Sequence, residues 1–269
     1  MPTLDTGDAS LYYETHGAGD PLVFVHGGWV SSRMWAPQVE RFADDYRVVT
    51  VDVRGHGRTG ATDRRRYSIP LFAADLRAVL EHEDATDPAA VCGLSMGGHV
   101  AQLYAATYDL RRLVLAATTR TVPPIPMSRS QKLAFAPKPV VHALIRRMGV
   151  ASYYESLLAG IRAIEGHRWV ALDDDNRRYV REEIGRFDTR EYIKVFDALY
   201  DHDALDHDAL DAPTLLVHGD HESETVVRQN RAFEDALDAT RVEIPDAGHL
   251  ANLDNPAAFD AALGSFLAA

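Results

Sequence analysis

Short apolar segments alternate with amphipathic segments over most of the chain. Each apolar segment is four to six residues long and rich in Val, Leu, Ile or Phe, which is typical of strands buried on both faces of a parallel sheet. The segments are Leu22–His26, Arg47–Asp52, Ala89–Leu94, Arg112–Ala116, Thr214–His218 and Arg241–Ile244. Since helical patterns lie between them, we expect an α/β fold with a mostly parallel sheet and helices on both faces.

Two of the helices have recognisable beginnings. Ser68 is a good N-cap, and Pro70 would lie in the first turn that follows it. The apolar positions after it recur at helical spacing and are Leu71, Phe72, Leu76, Val79 and Leu80. A final helix is predicted after Asn255-Pro256, with an apolar face formed by Phe259, Leu263 and Phe266.

The alternation stops between about Thr121 and Tyr200. This stretch has helical periodicity and five prolines near its beginning but no convincing strand. We therefore predict a helical cap over residues 121–200, inserted into a core domain made of residues 1–120 and 201–269. The cap's aromatic residues are candidates to line an apolar cavity, and they are Phe135, Tyr153, Tyr154, Trp169 and Tyr179.

Ser95 lies between two glycines at a predicted strand-to-helix junction, in the sequence Gly93-Leu94-Ser95-Met96-Gly97. Such a turn is too tight for side chains at the flanking positions. It lifts the serine hydroxyl clear of the sheet and directs the following backbone amides to the same point. The pattern predicts a nucleophilic serine, and the amide of Met96 is a candidate donor to an oxyanion.

A nucleophilic serine needs a base and an acid that orients the base, and after this type of turn they follow in the order serine, acid, histidine. Of the 12 histidines, His249 is the best candidate base, because it lies in the loop between the last predicted strand and the final helix. The loop after His218 offers Asp220 and Glu222, and either could reach His249. Glu224 is expected to lie in the following helix.

A second oxyanion donor is expected from the loop after the first apolar strand. That loop reads His26-Gly27-Gly28-Trp29. Without side chains at its two glycines, its backbone can come close to Ser95.

Several other classes of function are disfavoured. The net charge of -12 argues against a nucleic-acid partner. No apolar run approaches the roughly 20 residues of a membrane span, and the N-terminus lacks a secretory signal pattern. The single cysteine, Cys92, is consistent with a reducing compartment. We therefore expect a cytoplasmic protein.

Two motifs suggest ligands that we do not expect. Gly55–Gly60 matches the dinucleotide fingerprint, but the charged residues after it do not open a helix, so His56 and Arg58 are expected to brace the loop instead. The repeated Asp-His-Asp-Ala-Leu sequence at 201–210 places His202 and His207 five residues apart, on different faces of a helix. No cofactor and no metal is predicted.

The chain resembles the α/β-hydrolase superfamily from about Leu22 to its end. The likeness rests on the sequence around Ser95, on Gly248-His249, and on Asp52-Val53-Arg54-Gly55-His56-Gly57. The resemblance implies a cap inserted after the sixth strand of the family's sheet, with Ser95 as nucleophile and His249 as base. It also implies that no metal or organic cofactor is needed.

The resemblance bears on the residues left open above. The family's acid usually occupies the position of Glu222 and is usually Asp, although members with Glu exist. It therefore points to Glu222, with Asp220 as the alternative. In the oxyanion loop it points to Gly28, with Trp29 next.

Within the superfamily, the chain is similar to small esterases, enol-lactonases and cofactor-free haloperoxidases. Dehalogenases and epoxide hydrolases of this fold carry Asp at the position of Ser95, which argues against both. We therefore expect hydrolysis of a small carboxylic ester or lactone. Perhydrolysis or carbon–carbon bond hydrolysis at the same residues is one alternative, and a non-enzymatic ligand sensor is another.

Overall fold

One eight-stranded sheet forms the centre of the protein. The computed structural model describes residues 2–120, 137–165, 169–203, 205 and 209–269. The strands are β1 (Thr3–Asp5), β2 (Ser10–His16), β3 (Pro21–Val25), β4 (Arg47–Val51), β5 (Ala90–Leu94), β6 (Leu113–Ala116), β7 (Thr214–Gly219) and β8 (Thr240–Ile244). Their order across the sheet is β1-β2-β4-β3-β5-β6-β7-β8.

From β4 to β8 all neighbouring strands are parallel, as the apolar segments predicted. The first two strands were not predicted, and they are antiparallel and form one edge of the sheet. In β2 the residues Leu11, Tyr12 and Tyr13 are all buried, whereas the following three are only partly buried. This pattern is neither an alternation nor a continuous apolar run, so periodicity does not reveal the strand.

Helices cover the sheet on both sides. They are α1 (Ala36–Phe42), α2 (Ile69–His82) and α3 (Met96–Ala105), then, between β6 and β7, α4 (Lys138–Met148), α5 (Val150–Glu165), α6 (Asp174–Gly185) and α7 (Thr189–Tyr200), followed by α8 (Glu224–Leu237), α9 (Ala251–Asp254) and α10 (Pro256–Ala268). The predicted start of α2 is confirmed, because the Ser68 side chain accepts a hydrogen bond from the Leu71 amide. Glu224 is the first residue of α8, as expected.

The helices α4 to α7 form a helical insert after the sixth strand, β6, as predicted. Polar contacts join the insert to the sheet. The buried Glu191 of α7 accepts hydrogen bonds from Tyr67 and Lys194 at 2.6 Å each, and Lys194 also donates to the Thr62 carbonyl at 2.9 Å. Apolar contact adds to this, since the Trp29 and Tyr192 rings stack with centroids 4.8 Å apart. The insert therefore lies over the carboxyl end of β3.

Among the described helices, none combines the length and hydrophobicity that a bilayer-spanning segment requires.

Candidate active site

Ser95 occupies a strained position between a strand and a helix. Strand β5 ends at Leu94 and helix α3 begins at Met96, so Ser95 alone makes the turn, with φ 54° and ψ -114°. Close packing explains the glycines beside it. A Cβ atom on Gly93 would lie 2.1 Å from the Gly97 carbonyl oxygen, and one on Gly97 would lie 2.2 Å from the Val25 carbonyl oxygen. The sharp turn predicted from the sequence is therefore present.

His249 and Glu222 are brought together by two different loops. The Nδ1 atom of His249 lies 2.7 Å from Oε2 of Glu222, whose side chain is fully buried. The other carboxylate oxygen of Glu222 accepts the Ser223 amide at 2.7 Å. Since the Glu222 carboxylate accepts a hydrogen bond from Nδ1–H, the imidazole is held in the tautomer whose Nε2 can accept a proton.

Asp220, the alternative acid, faces a different set of donors. Its Oδ1 accepts the Ala247 amide at 3.0 Å and the His221 ring at 2.8 Å, and its Oδ2 accepts the Asp246 amide at 3.0 Å. Burial opposes ionisation of this carboxyl, but these donors outweigh it and lower its pKa below the usual value. Asp220 braces the loop that carries His249, and none of its described hydrogen bonds reaches the His249 imidazole.

The glycine loop after β3 lies against Ser95, as predicted. A Cβ atom on Gly27 would be 3.5 Å from the Ser95 Cβ, and one on Gly28 would be 3.7 Å from the Met96 Cβ. Met96 is the first residue of α3, where amides lack an acceptor within the helix. In the described part of the chain, no backbone acceptor is bound by the Gly28 amide. Two amides are thus available beside Ser95.

The Trp29 amide, by contrast, is already bound. It donates to Nε2 of the buried His56 at 3.0 Å, while His56 Nδ1 donates to the Arg54 carbonyl at 2.9 Å. Because one N–H serves one good acceptor at a time, the Trp29 amide is less available to an oxyanion than the Gly28 amide. This also explains how Trp29 holds a φ of 60°, in the left-handed region that favours glycine.

His26 and His56 are two neutral imidazoles behind the glycine loop. Their ring centroids are 4.8 Å apart, and Nε2 of His26 accepts the Val53 amide at 3.1 Å. Both rings are fully buried, and burial lowers the pKa of each, that of His56 well below its usual value. A proton on either Nε2 would remove the acceptor that holds a backbone amide. His56 braces the glycine loop, as predicted, through its hydrogen bonds with the Trp29 amide and the Arg54 carbonyl.

The buried histidines predict that acid weakens the fold. Burial also lowers the pKa of His99, to about 3, so the unfolded chain takes up protons on His26, His56 and His99 at a higher pH than the folded chain does. Stability is therefore greatest above about pH 6.5 and falls below it, by up to about 1.4 kcal/mol per pH unit for each histidine. Urea unfolding at pH 7, 6 and 5 measures the slope of the unfolding free energy against pH. His99→Leu should reduce it, and a flat profile would contradict the argument.

Ser95 and His249 line the same cavity, which has a volume of about 180 Å3. Its walls are largely apolar and come from both the sheet loops and the insert. The lining side chains from the insert are Tyr154, Leu157, Leu158, Trp169, Val170, Val180, Ile184 and Leu199. Among the described lining residues, none is Asp, Glu, Lys or Arg. Tyr154 and Trp169 were predicted to line such a cavity, and Phe135 lies outside the described residues.

Two other predicted aromatic residues have different contacts. The Tyr179 hydroxyl donates to the Ser31 carbonyl at 3.2 Å, which ties α6 to the loop after β3. Tyr153 packs edge-on against Tyr192 at a centroid distance of 6.2 Å. Tyr179 therefore holds the insert against the sheet, whereas Tyr153 packs within the insert, and neither lines the Ser95 cavity.

Trp169 touches the candidate base directly, a contact that was not predicted. Its indole packs edge-on against the His249 ring with centroids 4.8 Å apart, and its carbonyl accepts the His249 amide at 2.6 Å. Nothing in the sequence marks this pairing, because it joins residues 80 positions apart. The insert therefore contributes a wall to the cavity and a backbone partner to the histidine loop.

In the described residues, the two motifs that suggested other ligands form turns and a ring contact. Residues 53–67, which include the Gly55–Gly60 match, form turns and open no helix before α2. His202 packs against the His99 ring at a centroid distance of 5.1 Å, and His207 lies outside the described residues. No group of three or more metal-ligating side chains occurs in the part of the chain that the structure describes.

A larger groove of about 790 Å3 lies away from this site. Neither Ser95 nor His249 lines it, and its walls carry charges of both signs, including Glu14, Asp52 and Arg58. Asp52 is buried there and accepts the amides of Ser32 and Arg58 at 2.7 Å each. These carboxylate contacts organise the loop after β4, so the groove is larger but lacks the chemistry of the Ser95 cavity.

Several known proteins match this chain over most of their own length. The sequence pattern of the Alpha/beta hydrolase family matches residues 22–262. The 3-oxoadipate enol-lactonase 2 of Acinetobacter baylyi is 26% identical over 271 residues, covering 97% of this chain and 94% of that protein. The non-heme chloroperoxidase CPO-A1 of Kitasatospora aureofaciens is 28% identical over 243 residues, 82% of each. A solved esterase from Thermogutta terrifontis has a TM-score of 0.81 and 25% identity, covering 99% of this chain and 96% of that one.

Proposed function

Because the chain belongs to the alpha/beta hydrolase family, we propose that it is a serine hydrolase that cleaves a small carboxylic ester or lactone. The observation that carries the proposal is the 2.7 Å contact between His249 Nδ1 and Glu222, in a cavity that Ser95 shares with His249. A buried acid, an imidazole and a hydroxyl at a strained turn are the parts that acyl transfer requires. Similarity to an enol-lactonase and an esterase adds support.

The reaction proceeds in two halves. Ser95 Oγ attacks the ester carbonyl while His249 Nε2 takes its proton, and Glu222 stabilises the imidazolium that forms. The Met96 and Gly28 amides donate to the oxyanion. His249 then returns the proton to the leaving alcohol, which leaves an acyl group on Ser95. Water attacks that ester with His249 again as base, and the acid product departs with Ser95 restored.

Covalent labelling tests the proposed nucleophile without knowledge of the natural substrate. A fluorophosphonate probe phosphonylates serines that an adjacent base activates, with loss of fluoride. We expect stoichiometric labelling, and peptide mass spectrometry should locate the adduct on Ser95. Labelling at another residue, or no labelling of folded protein that also fails to hydrolyse p-nitrophenyl esters, would count against a serine hydrolase.

The lining of the cavity also limits the charge that the acyl group of the substrate can carry. Its described lining offers no fixed charge to pair with a substrate carboxylate, and leaving such a charge unpaired in an apolar site costs several kcal/mol. We therefore propose that the acyl group is neutral and largely apolar.

A matched pair of substrates tests this specificity. The p-nitrophenyl esters of 4-methylpentanoic acid and of succinic acid (as the half-acid) have similar shapes and differ in the terminal charge. We expect kcat/KM for the neutral ester to be larger by about 100-fold or more, since a few kcal/mol separates the two. Equal values for the two esters would show that a charged acyl group is accommodated.

Perhydrolysis is a second candidate, favoured by the 28% identity to a non-heme chloroperoxidase. In that reaction hydrogen peroxide replaces water in the second half and attacks the acyl group on Ser95, which releases a peracid. Both reactions share the acyl-enzyme, so they differ only in the second nucleophile. Adding hydrogen peroxide during ester turnover and assaying peracid would distinguish them, because a hydrolase continues to release the carboxylic acid.

A further inference from the structure

Asp254 is bound by four N–H groups from two separate parts of the chain. Its Oδ2 accepts the Gly248 amide at 2.9 Å and the Leu172 amide at 2.8 Å. Its Oδ1 accepts the Asn176 side-chain amide at 2.9 Å and the Asp173 amide at 3.3 Å. Asp254 is the last residue of the short helix α9, which begins two residues after His249. One carboxylate therefore joins the histidine loop to the beginning of α6.

Backbone contacts extend this junction to His249 itself. The His249 amide donates to the Trp169 carbonyl at 2.6 Å, and the Leu250 amide donates to the Val170 carbonyl at 3.0 Å. The two segments approach so closely that a Cβ atom on Gly248 would lie 2.5 Å from the Trp169 carbonyl oxygen. Residues 248–250 and 169–173 thus form one continuous junction, with Asp254 at its end.

The junction carries two parts of the site. On one side is His249, the proposed base, and on the other are Trp169 and Val170, which line the cavity around Ser95. A carboxylate oxygen has room for two N–H donors, and here each oxygen has two. Removing one oxygen would leave two of these N–H groups without an acceptor, which costs more than the hydrogen bonds themselves contribute.

We propose that Asp254 is a positioning residue that holds the histidine loop and the insert's wall of the cavity in one fixed relation. It touches neither Ser95 nor the imidazole in the described contacts, and it acts through Gly248 on one side and Leu172, Asp173 and Asn176 on the other. The alignment of the base and the fit of the acyl group then depend on the same carboxylate. The catalytic consequence rests on the proposed function, whereas the structural junction does not.

Hydrogen exchange tests the junction without any substrate. Asp254→Asn keeps the shape of the side chain but turns an amide group toward two N–H donors. We expect the amides in segments 169–173 and 248–250 to exchange faster together, by about 10-fold or more. Asp173→Asn is the matched control, because Asp173 caps α6 at the same junction and Asn caps a helix equally well. Unchanged exchange at residues 248–250 in Asp254→Asn would overturn the proposal.

Kinetics test the consequence for the site. The p-nitrophenyl acetate and pentanoate rates are measured per active site, counted by fluorophosphonate titration. In Asp254→Asn we expect both kcat values to fall by about 10-fold and the preference for pentanoate over acetate to weaken, because the longer chain has more apolar surface to place against the cavity wall that includes Trp169 and Val170. A loss of folded protein alone would leave the rate per site and the preference unchanged, and that result would overturn a positioning role.

The two measurements separate the possible failures. If the wild-type protein shows no turnover that depends on Ser95, the proposed function fails, and the exchange experiment still decides whether Asp254 joins the two segments. If turnover is present and Asp254→Asn changes neither exchange nor preference, the positioning role alone fails.

Discussion

Ser95→Ala is expected to lower kcat for ester hydrolysis by about 10⁴ to 10⁶-fold, the largest effect of any single substitution in this chain. The variant lacks the atom that attacks the carbonyl, while the imidazole and the two candidate oxyanion amides remain. The residual rate should reflect those amides and binding alone. Initial rates with p-nitrophenyl acetate, extended to long incubations, measure it.

Folding of this variant should be nearly unaffected. The strained φ of 54° at position 95 costs Ala about as much as Ser, because both carry a Cβ atom. Urea unfolding should therefore give similar midpoints for the two proteins. Ser265→Ala is a matched control, since Ser265 is an exposed serine in α10 that bonds only the Ala261 carbonyl. A Ser95→Ala protein that is folded and retains wild-type turnover would disprove the acyl-enzyme proposal.

Glu222→Gln is expected to slow turnover by about 10³ to 10⁴-fold, whereas Asp220→Asn should slow it by less than about 10-fold. A glutamine amide can donate to His249 Nδ1, which would hold the ring in the tautomer whose Nε2 carries a proton and cannot accept one from Ser95. It also removes the negative charge that stabilises the imidazolium. The existing 2.7 Å contact makes this substitution a direct test of the acid.

Asp220→Asn provides the matched comparison in the same loop. Asp220 accepts the Ala247 and Asp246 amides, so its substitution should loosen the loop before His249. We therefore expect it to lower the free energy of unfolding while changing kcat only slightly. Steady-state kcat for both variants, together with their urea midpoints, separates the two effects. If Asp220→Asn caused the larger loss of kcat at similar stability, the role of the acid would belong to Asp220.

Much of the sheet could be predicted because its signal is local. A short apolar run between turn residues marks a strand buried on both faces, and β3 to β7 follow this rule. The edge strand β8 was located from a shorter mixed run, and only its Ile244 is fully buried. Strands β1 and β2 lie at an edge, where one face meets solvent and burial follows no simple period. They were missed for that reason.

The candidate site also contains residues that the sequence predicted and residues that it left open. Ser95 could be identified because glycines are required on both sides of it. A side chain at Gly93 would collide with the Gly97 carbonyl, and one at Gly97 would collide with the Val25 carbonyl, so the glycines are visible in the sequence itself. The histidine loop could be identified from its place between the last strand and the final helix. By contrast, residues alone did not distinguish Asp220 from Glu222, which are two positions apart in one loop and carry the same charge.

The sequence by itself determined where β3 to β8 lie along the chain, the sharp turn at Ser95 and the loops that carry Glu222 and His249, since each depends on neighbours along the chain. Only the tertiary structure decided that Glu222 faces His249, that His56 occupies the Trp29 amide, and that Asp254 joins the insert to the histidine loop. These contacts connect residues far apart in sequence. Their partners depend on how whole segments pack, and hydrogen bonds form only where that packing brings donor and acceptor within about 3 Å.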